Sequence, residues 1–353
     1  MKVALVGMPQ SGKSTILAAI SGKEGSAGHI NEAVVPVPDE RIDFLTQLYQ
    51  PKKTVFATID CLDLPGVSFV DDAGRAAARK TIAEAKAADM FVLVIRSFAE
   101  ESVPAYRGSV DVRRDLAELQ AEFLLADLEL VTTRIERLQE ALKKGSKNAE
   151  HDKAELALQL RLQEPLEDGK PARTIALDEK ELELIKPLGL LTIKPISVLI
   201  NTGEDELDRQ FDVSGILDPS IPVFAMCAKL ERELAQLDTA SRAEFMADLA
   251  LSEPGYIKFV NSCYDALGLI SFLTVGPDEV RAWPVRRGSS ALDAAGKIHT
   301  DIKRGFIRAE TMAYEELKSL GGEKAVKAAG RLRLEGKTYI VHDGDIMHFR
   351  FNV

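Results

Sequence analysis

The sequence predicts an α/β fold: a sheet carrying a phosphate-binding loop, interrupted by an antiparallel helical coiled-coil insertion and followed by a small α+β domain. Three observations predict it. The apolar run KVALVG (2–7) leads through GMPQSGKST (7–15) into KSTILAAIS (13–21), so a G-x-x-x-x-G-K-[ST] pattern stands between a first strand and a first helix. Between residues 116 and 144 apolar side chains recur at alternating spacings of three and four, which makes a narrow helix seam. Strand character returns at KPISVLINTGED (194–205), and from Leu269 onward short apolar runs alternate with turns.

The loop motif needs both of its neighbours, because only then do the loop amides and the helix N-terminus converge on one phosphate. A plain glycine turn with Lys13 facing solvent is the bland alternative. FATIDCLDLPGVS (56–68) reads as a strand ending in D-x-x-G at Asp63 and Gly66. At that distance after a phosphate loop such an Asp holds Mg²⁺, often through water, and the glycine N–H can sense the γ-phosphate. ADMFVLVIRSF (88–98) is a further buried strand. The seam is Leu128, Val131, Ile135, Leu138 and Leu142; GSKN (145–148) breaks it, and a second helix runs to about Gln163. Two long helices joined by a short turn form a hairpin, which serves equally as a stabilising arm or as a docking arm. IPVFAMCAKLE (221–231) continues the strand pattern. NTGE (201–204) and CAKLE (227–231) stand where GTPases carry their base-reading N-K-x-D and S-A-K loops. The expected division is 1–110 and 191–268 for the two parts of a P-loop, G-domain-like unit, 111–190 for the helical insertion, and 269–353 for the small domain.

Composition narrows the classes. Over 353 residues, 46% apolar and 28% charged suits a soluble globular chain of two or three domains. No run of about 18 apolar residues exists to span a bilayer, and MKVALVGMPQ leads into the glycine loop rather than a cleavage site. Cys61, Cys227 and Cys263 lie far apart without a C-x-x-C pair, which suits the cytoplasm and argues against disulfides and zinc. The net charge of −10 is uneven: Leu269 onward holds 14 Lys/Arg against 11 Asp/Glu, a balance of +3, so the first 268 residues carry −13. A mildly basic tail on an acidic body points to an anionic partner such as RNA, with chance surface variation as the alternative. Arg286, Arg287, Lys303, Arg304, Arg308, Arg331, Arg333 and Lys337 are the candidates for such a patch. His299, His342 and His348 lack metal-ligand spacing and read as packing or surface residues; Trp283 reads as an anchor of the small sheet before an RNA-stacking platform.

The order of motifs resembles the YchF/Obg-like ATPase family, a branch of the Obg-type translation-factor P-loop NTPases. VGPDEVRAWPV (275–285), AAGKIHTDIKRGFIRAE (294–310) and EGKTYIVHDGDIMHFRFNV (335–353) look like that family's C-terminal TGS domain, a ubiquitin-like α+β fold. VPVPDERIDFLTQLYQPKK (35–53) and FMADLALSEPGYIKFV (245–260) match as well. The resemblance covers essentially the whole chain and is weakest at 22–31 and 67–80. It implies a cytoplasmic nucleotide hydrolase that meets the ribosome or rRNA through its TGS and helical domains, with no membrane partner and no DNA specificity. Nucleotide binding falls to Gly7, Gln10, Ser11, Gly12, Lys13, Ser14 and Thr15 of the loop, with Asn201, Thr202, Glu204, Cys227, Ala228 and Lys229 around the purine. Catalysis falls to Lys13, Asp63 and Gly66, and Mg²⁺ to Ser14 and Asp63. In N-K-x-D the Asp accepts two guanine N–H groups and the Lys covers the base. Here Glu204 and Thr202 take those places, which removes about 1–3 kcal/mol of guanine readout and favours ATP over GTP.

Three departures bear on hydrolysis. Gln10 stands where the family has an Asn that helps hold K⁺, so a potassium site stays open. The family's switch threonine is missing, since no Thr occurs from Ile16 to Leu45, and Ser26 substitutes only if its loop folds back that far. After Gly66, VSFVDDAGRAAARKT is shorter than the family's glycine-rich switch and poor in glycine; the family shares an apolar residue at Val67, where no Gln orients a water, but not the combination. Phosphoryl transfer rests on positioning and charge stabilisation. The expected function is secure nucleotide binding with slow hydrolysis, as a translation-associated switch; the alternative is a non-hydrolysing, nucleotide-gated ribosome- or RNA-binding adaptor. A small-molecule kinase is disfavoured, because no arginine-rich lid is recognisable.

Overall fold

The computed structural model describes residues 1–23, 29–207, 209–249, 251 and 253–352. In chain order the nucleotide-loop half runs β1 (Lys2–Val6), α1 (Lys13–Ser21), β2 (Asn31–Pro36), α2 (Glu40–Tyr49), β3 (Lys53–Val55), β4 (Thr58–Asp63), α3 (Asp72–Glu84) and β5 (Met90–Arg96). Then come α4 (Val112–Lys143), α5 (Ala149–Glu167), α6 (Glu179–Ile185), β6 (Ile196–Asn201), β7 (Val223–Met226), α7 (Ala228–Leu234), α8 (Thr239–Asp248) and α9 (Gly255–Leu267). The remainder is β8 (Leu269–Thr274), β9 (Glu279–Arg286), α10 (Ala291–Ile298), α11 (Thr300–Arg304), β10 (Phe306–Ala313), α12 (Tyr314–Leu320), α13 (Glu323–Ala328), β11 (Arg333–Glu335) and β12 (Asp345–Phe351). They fall into two units, residues 1–33 with 60–259 and residues 34–59 with 260–353.

The first unit is built on a six-stranded sheet in the order β2-β4-β1-β5-β6-β7. All seven residues of β5 are buried, as expected of a parallel strand covered on both faces. Parallel register fixes what meets at the C-terminal edge: Leu5 lies opposite Asp63, Arg96 opposite Asn201, and Asn201 opposite Met226. That edge is where an open α/β sheet binds its ligand. It is the P-loop, G-domain-like fold.

The insertion is an antiparallel pair of helices, α4 and α5. Val131, Ile135 and Leu138 of α4 and Leu158, Leu162 and Leu166 of α5 are buried along it, whereas Leu128 and Leu142 are only half-buried. α5 runs one turn past Gln163, to Glu167, with Pro165 in its last turn. The buried Asp127 carboxylate ties α4 to the chain before β6, accepting from Leu191 N at 2.8 Å, Thr192 N at 2.7 Å and Thr192 Oγ1 at 2.6 Å.

The second unit carries a mixed six-stranded sheet in the order β11-β10-β12-β8-β9-β3, with α10 packed on Phe272, Val285 and Phe349. Residues 34–59, placed by sequence pattern with the first part of the nucleotide domain, group here instead. β3 pairs in parallel with β9, Lys53 opposite Glu279, and Arg41 bridges Asp39 and Asp343 at 2.8 and 2.7 Å. Such pairings across more than 200 residues leave no trace in local periodicity. Trp283 donates to Thr274 Oγ1 at 3.0 Å and stacks on Phe272, so it anchors the sheet. His299 Nδ1 accepts the Asp301 N–H at the start of α11, and His342 sits beside Tyr339. Of the basic candidates, Lys303, Arg304, Arg331 and Arg333 are engaged in ion pairs, while Arg286, Arg287, Arg308 and Lys337 are exposed. No helix among the described residues is long and apolar enough to cross a membrane.

A candidate nucleotide site at the sheet edge

The loop between β1 and α1 ends in Gly12, whose φ of +93° only glycine adopts at low cost. A Cβ there would lie 2.0 Å from Asn201 Nδ2. Gln10 also has a positive φ, 61°. α1 has no side-chain cap and no acid in its first turn, so its amides and its dipole remain available to an anion. Lys13 is buried, and its Nζ donates to Gly7 O at 3.0 Å and Met8 O at 3.2 Å. Burial lowers its pKa to about 8, with Asp63 opposing the shift.

Beside it, Ser14 Oγ donates to Asp63 Oδ2 at 2.6 Å. Asp63 is 2% exposed, and its Oδ1 is buried without a hydrogen-bond partner. A carboxylate oxygen with no donor next to a serine hydroxyl is a pair of hard oxygen ligands, the donor set that Mg²⁺ takes. The residues present therefore fit a magnesium ion. Gly66 is pressed on the loop: Val67 N donates to Gly7 O at 3.1 Å, and a Cβ on Gly66 would meet Pro9 Cα at 2.7 Å. Val67 is fully buried and apolar.

A cavity of about 550 Å³ opens from the loop, where Gln10, Gly12 and Thr15 reach it, towards the ends of β6 and β7. Asn201 closes its floor. Its Nδ2 donates to Ser11 O and its Oδ1 accepts from Ala228 N, both at 3.0 Å, so one side chain ties the phosphate loop to the start of α7. Thr202 is 2% exposed with Oγ1 unpartnered. Glu204 accepts from Lys229 Nζ at 2.8 Å, and that bond raises the lysine's pKa. Burial raises the pKa of the Cys227 thiol on the cavity wall.

The structure thus brings the loop residues, Asp63, Gly66, Asn201–Glu204 and Cys227–Lys229 to one edge. Ser26 lies outside the described residues. Sequence reasoning missed the opposite wall, Phe98 and Val103. Arg96 holds it: the buried guanidinium donates to Phe98 O (3.1 Å), Val103 O (3.0 Å) and Pro104 O (3.2 Å) and stacks 4.3 Å from the Phe98 ring. No motif encodes this wall; the only local signal is an arginine ending an otherwise apolar strand. Asn31 was missed as well, and its Nδ2 reaches Asp63 Oδ2 at 3.4 Å.

Comparison with known proteins gives the same outline. Residues 2–134 match a family model described as 50S ribosome-binding GTPase. Residues 269–352 match the YchF-GTPase C-terminal model, described as a protein of unknown function (DUF933). The chain is 36% identical over 367 residues to the ribosome-binding ATPase YchF of Bacillus subtilis, covering all of both chains. It is 37% identical over 371 residues to Obg-like ATPase 1 of Oryza sativa subsp. japonica, covering all of this chain and 92% of that one. The solved structure of the Schizosaccharomyces pombe YchF GTPase superposes with a TM-score of 0.82 at 30% identity, covering 99% of this chain and 97% of that one.

Proposed function

The chain belongs to the YchF family, and on that premise we propose that it is a magnesium-dependent P-loop nucleotide hydrolase, slow and ATP-preferring, that works as a ribosome-associated switch. Its relatives bear the names ribosome-binding ATPase and Obg-like ATPase. The observation that carries the reading is the corner where buried Lys13, Ser14 and the half-satisfied Asp63 meet at the N-terminus of α1. On nucleotide binding, Lys13 Nζ leaves the Gly7 and Met8 carbonyls for phosphate oxygens and keeps its proton there. The bare α1 amides take further phosphate oxygens, and Gly66, lying on Pro9, carries an N–H to the γ-phosphate side. Bound Mg²⁺ supplies charge neutralisation between phosphate oxygens, with Ser14 and Asp63 to hold it. Asn201 meets the purine between Thr202 and the Phe98 wall. A potassium ion at Gln10 belongs to the same proposal as a second ion. Ribosomal contacts are assigned to the helical insertion (111–190) and the TGS domain (269–353).

Slowness follows from what stands after Gly66. The buried, apolar Val67 offers nothing to orient a water. The short, glycine-poor segment after Gly66 favours the second reading, a non-hydrolysing adaptor whose posture nucleotide sets. Turnover of ATP and GTP by the purified chain with Mg²⁺, with and without K⁺ and ribosomes, separates the two. ATP hydrolysis lost in Lys13→Ala supports the enzyme; calorimetric ATP binding with no turnover under any condition supports the adaptor.

A further inference from the structure

We propose that Tyr106 and Arg107, on the turn that leads into α4, are positioning residues for the γ-phosphate side of the site, and that through them the helical insertion regulates it. The inference rests on the nucleotide reading above and deepens it. Residues 66–69 connect the phosphate loop to this turn. At one end Gly66 lies on Pro9, and Val67 N donates to Gly7 O at 3.1 Å. At the other, side chains hold both backbone groups of the buried Phe69. Its N–H donates to Tyr106 Oη at 3.2 Å, and its carbonyl accepts from Arg107 Nη2 at 3.3 Å. The same guanidinium grips Glu118 of α4, with Nη2 2.6 Å from Oε1 and Nε 3.2 Å from Oε2. Arg114 fastens the turn to the start of that helix, donating to Tyr106 O at 3.0 Å and to Ser109 O at 2.8 Å.

Three features set this clasp apart from ordinary loop packing. It acts on main-chain groups: bonds to the N–H and the C=O of one residue fix two successive peptide planes, and Gly66 stands just upstream of them. Arg107 adopts a left-handed backbone, φ 50°, which a residue bearing a Cβ takes up only where its surroundings require it. Gly108 follows at φ 77°, so the turn is bent with the guanidinium, and not a glycine, at the strained position. Finally, the link to α4 is a two-pronged arginine–carboxylate pair, which resists rotation as a single lysine contact does not. A shift of Gly66 therefore reaches the base of the hairpin, and a load on the hairpin reaches Gly66, because coupling between two sites is reciprocal. A nucleotide with a γ-phosphate engages the Gly66 N–H and a diphosphate does not, so the two leave the clasp in different states.

The test uses the full chain with Mg²⁺ and compares ADP with a non-hydrolysable ATP analogue, reading affinity by calorimetry and hydrogen exchange over residues 66–71 and 105–118. In wild type the analogue protects both stretches more than ADP does. Tyr106→Phe and Arg107→Met are expected to abolish the extra protection of 105–118 and to lower analogue affinity about tenfold, with ADP affinity unchanged. Arg79→Met breaks the exposed pair between α3 and α4, Arg79 with Glu129 at 2.8 Å, but leaves the clasp, and it keeps the wild-type pattern. Melting temperatures check that the variants fold. A wild-type affinity ratio or wild-type exchange in the two clasp variants would overturn the inference while the nucleotide reading stands. So would an equal loss of ADP affinity, since the turn would then support the pocket as a whole, and so would the same changes in Arg79→Met. Equal protection by the two nucleotides in wild type would also overturn it. Failure of wild type to bind either nucleotide would overturn the reading, and this inference with it.

Discussion

Lys13 gives a pH dependence with a definite sign. In the nucleotide-free protein burial lowers its pKa from 10.5 to about 8. Phosphate oxygens favour the charged form and restore a high pKa in the complex. Binding above pH 8 must therefore take up a proton, and affinity falls as pH rises. At pH 9.5 a group of pKa about 8 is roughly 3% protonated, so the affinity for ATP drops ~30-fold from its value at pH 7, or about 2 kcal/mol. ATP itself is fully ionised over the upper part of this range and contributes no opposing change there. The assay is a fluorescence titration with a labelled ATP analogue in chelator, at constant ionic strength, from pH 7 to 9.5. Lys13→Met should bind weakly and show no slope. Flat wild-type affinity, or the same slope in Lys13→Met, would refute the reasoning. Stability moves the other way. A lysine whose folded pKa lies below its unfolded value destabilises the fold while both forms are protonated, and the cost is relieved between pH 8 and 10.5. The stability of wild type relative to Lys13→Met should rise across that window by about 3 kcal/mol at most.

Other perturbations follow from single side chains. Asn201→Ala leaves Ser11 O and Ala228 N without their 3.0 Å partner, at about 1–3 kcal/mol for each buried group; both melting temperature and ATP affinity should fall, and an unchanged melting temperature would contradict the floor role. Arg96→Met keeps the buried stem but removes the bonds to three carbonyls. Calorimetry should show ATP affinity reduced about tenfold, as for a lost hydrogen-bonded support, with tripolyphosphate affinity unaltered. Asp127→Asn puts a donor where three donors converge and should cost about 1–3 kcal/mol in urea unfolding. Thr202→Lys with Glu204→Asp restores an N-K-x-D pattern and should shift the ATP-to-GTP affinity ratio towards GTP at least about tenfold, measured by competition.

What the sequence made legible was local or ordered along the chain. The phosphate loop, the D-x-x-G strand end and the two base loops each join one strand to a turn, and parallel register then carries Asp63, Asn201 and Met226 to one edge. The hairpin followed from a seam repeated over several turns. What escaped depends on distant partners. Residues 34–59 join the second unit through pairing with β9 and through Arg41, more than 200 residues away from Asp343. Arg96 shapes the cavity wall through backbone carbonyls, which no residue pattern announces.

Purine preference comes down to which donors and acceptors remain. Asn201 Oδ1 already accepts from Ala228 N, and Nδ2 already donates to Ser11 O, which leaves one lone pair and one amide hydrogen. That pair is complementary to the N6 amine and N7 of adenine, the edge an asparagine reads in nucleic acids. Guanine presents O6 there, an acceptor facing the remaining lone pair of Oδ1, and the Ala228 N–H that would suit O6 is engaged. The other guanine contact, a free carboxylate for N1–H and the 2-amino group, is compromised because Glu204 is held by Lys229 at 2.8 Å. Both partners are largely exposed, so the ion pair is weak and guanine can break it; on the proposed function GTP is then a poorer ligand rather than an excluded one. On the proposed function, a preference for ATP arises mainly by loss of guanine contacts, with Asn201 placed to read adenine as well.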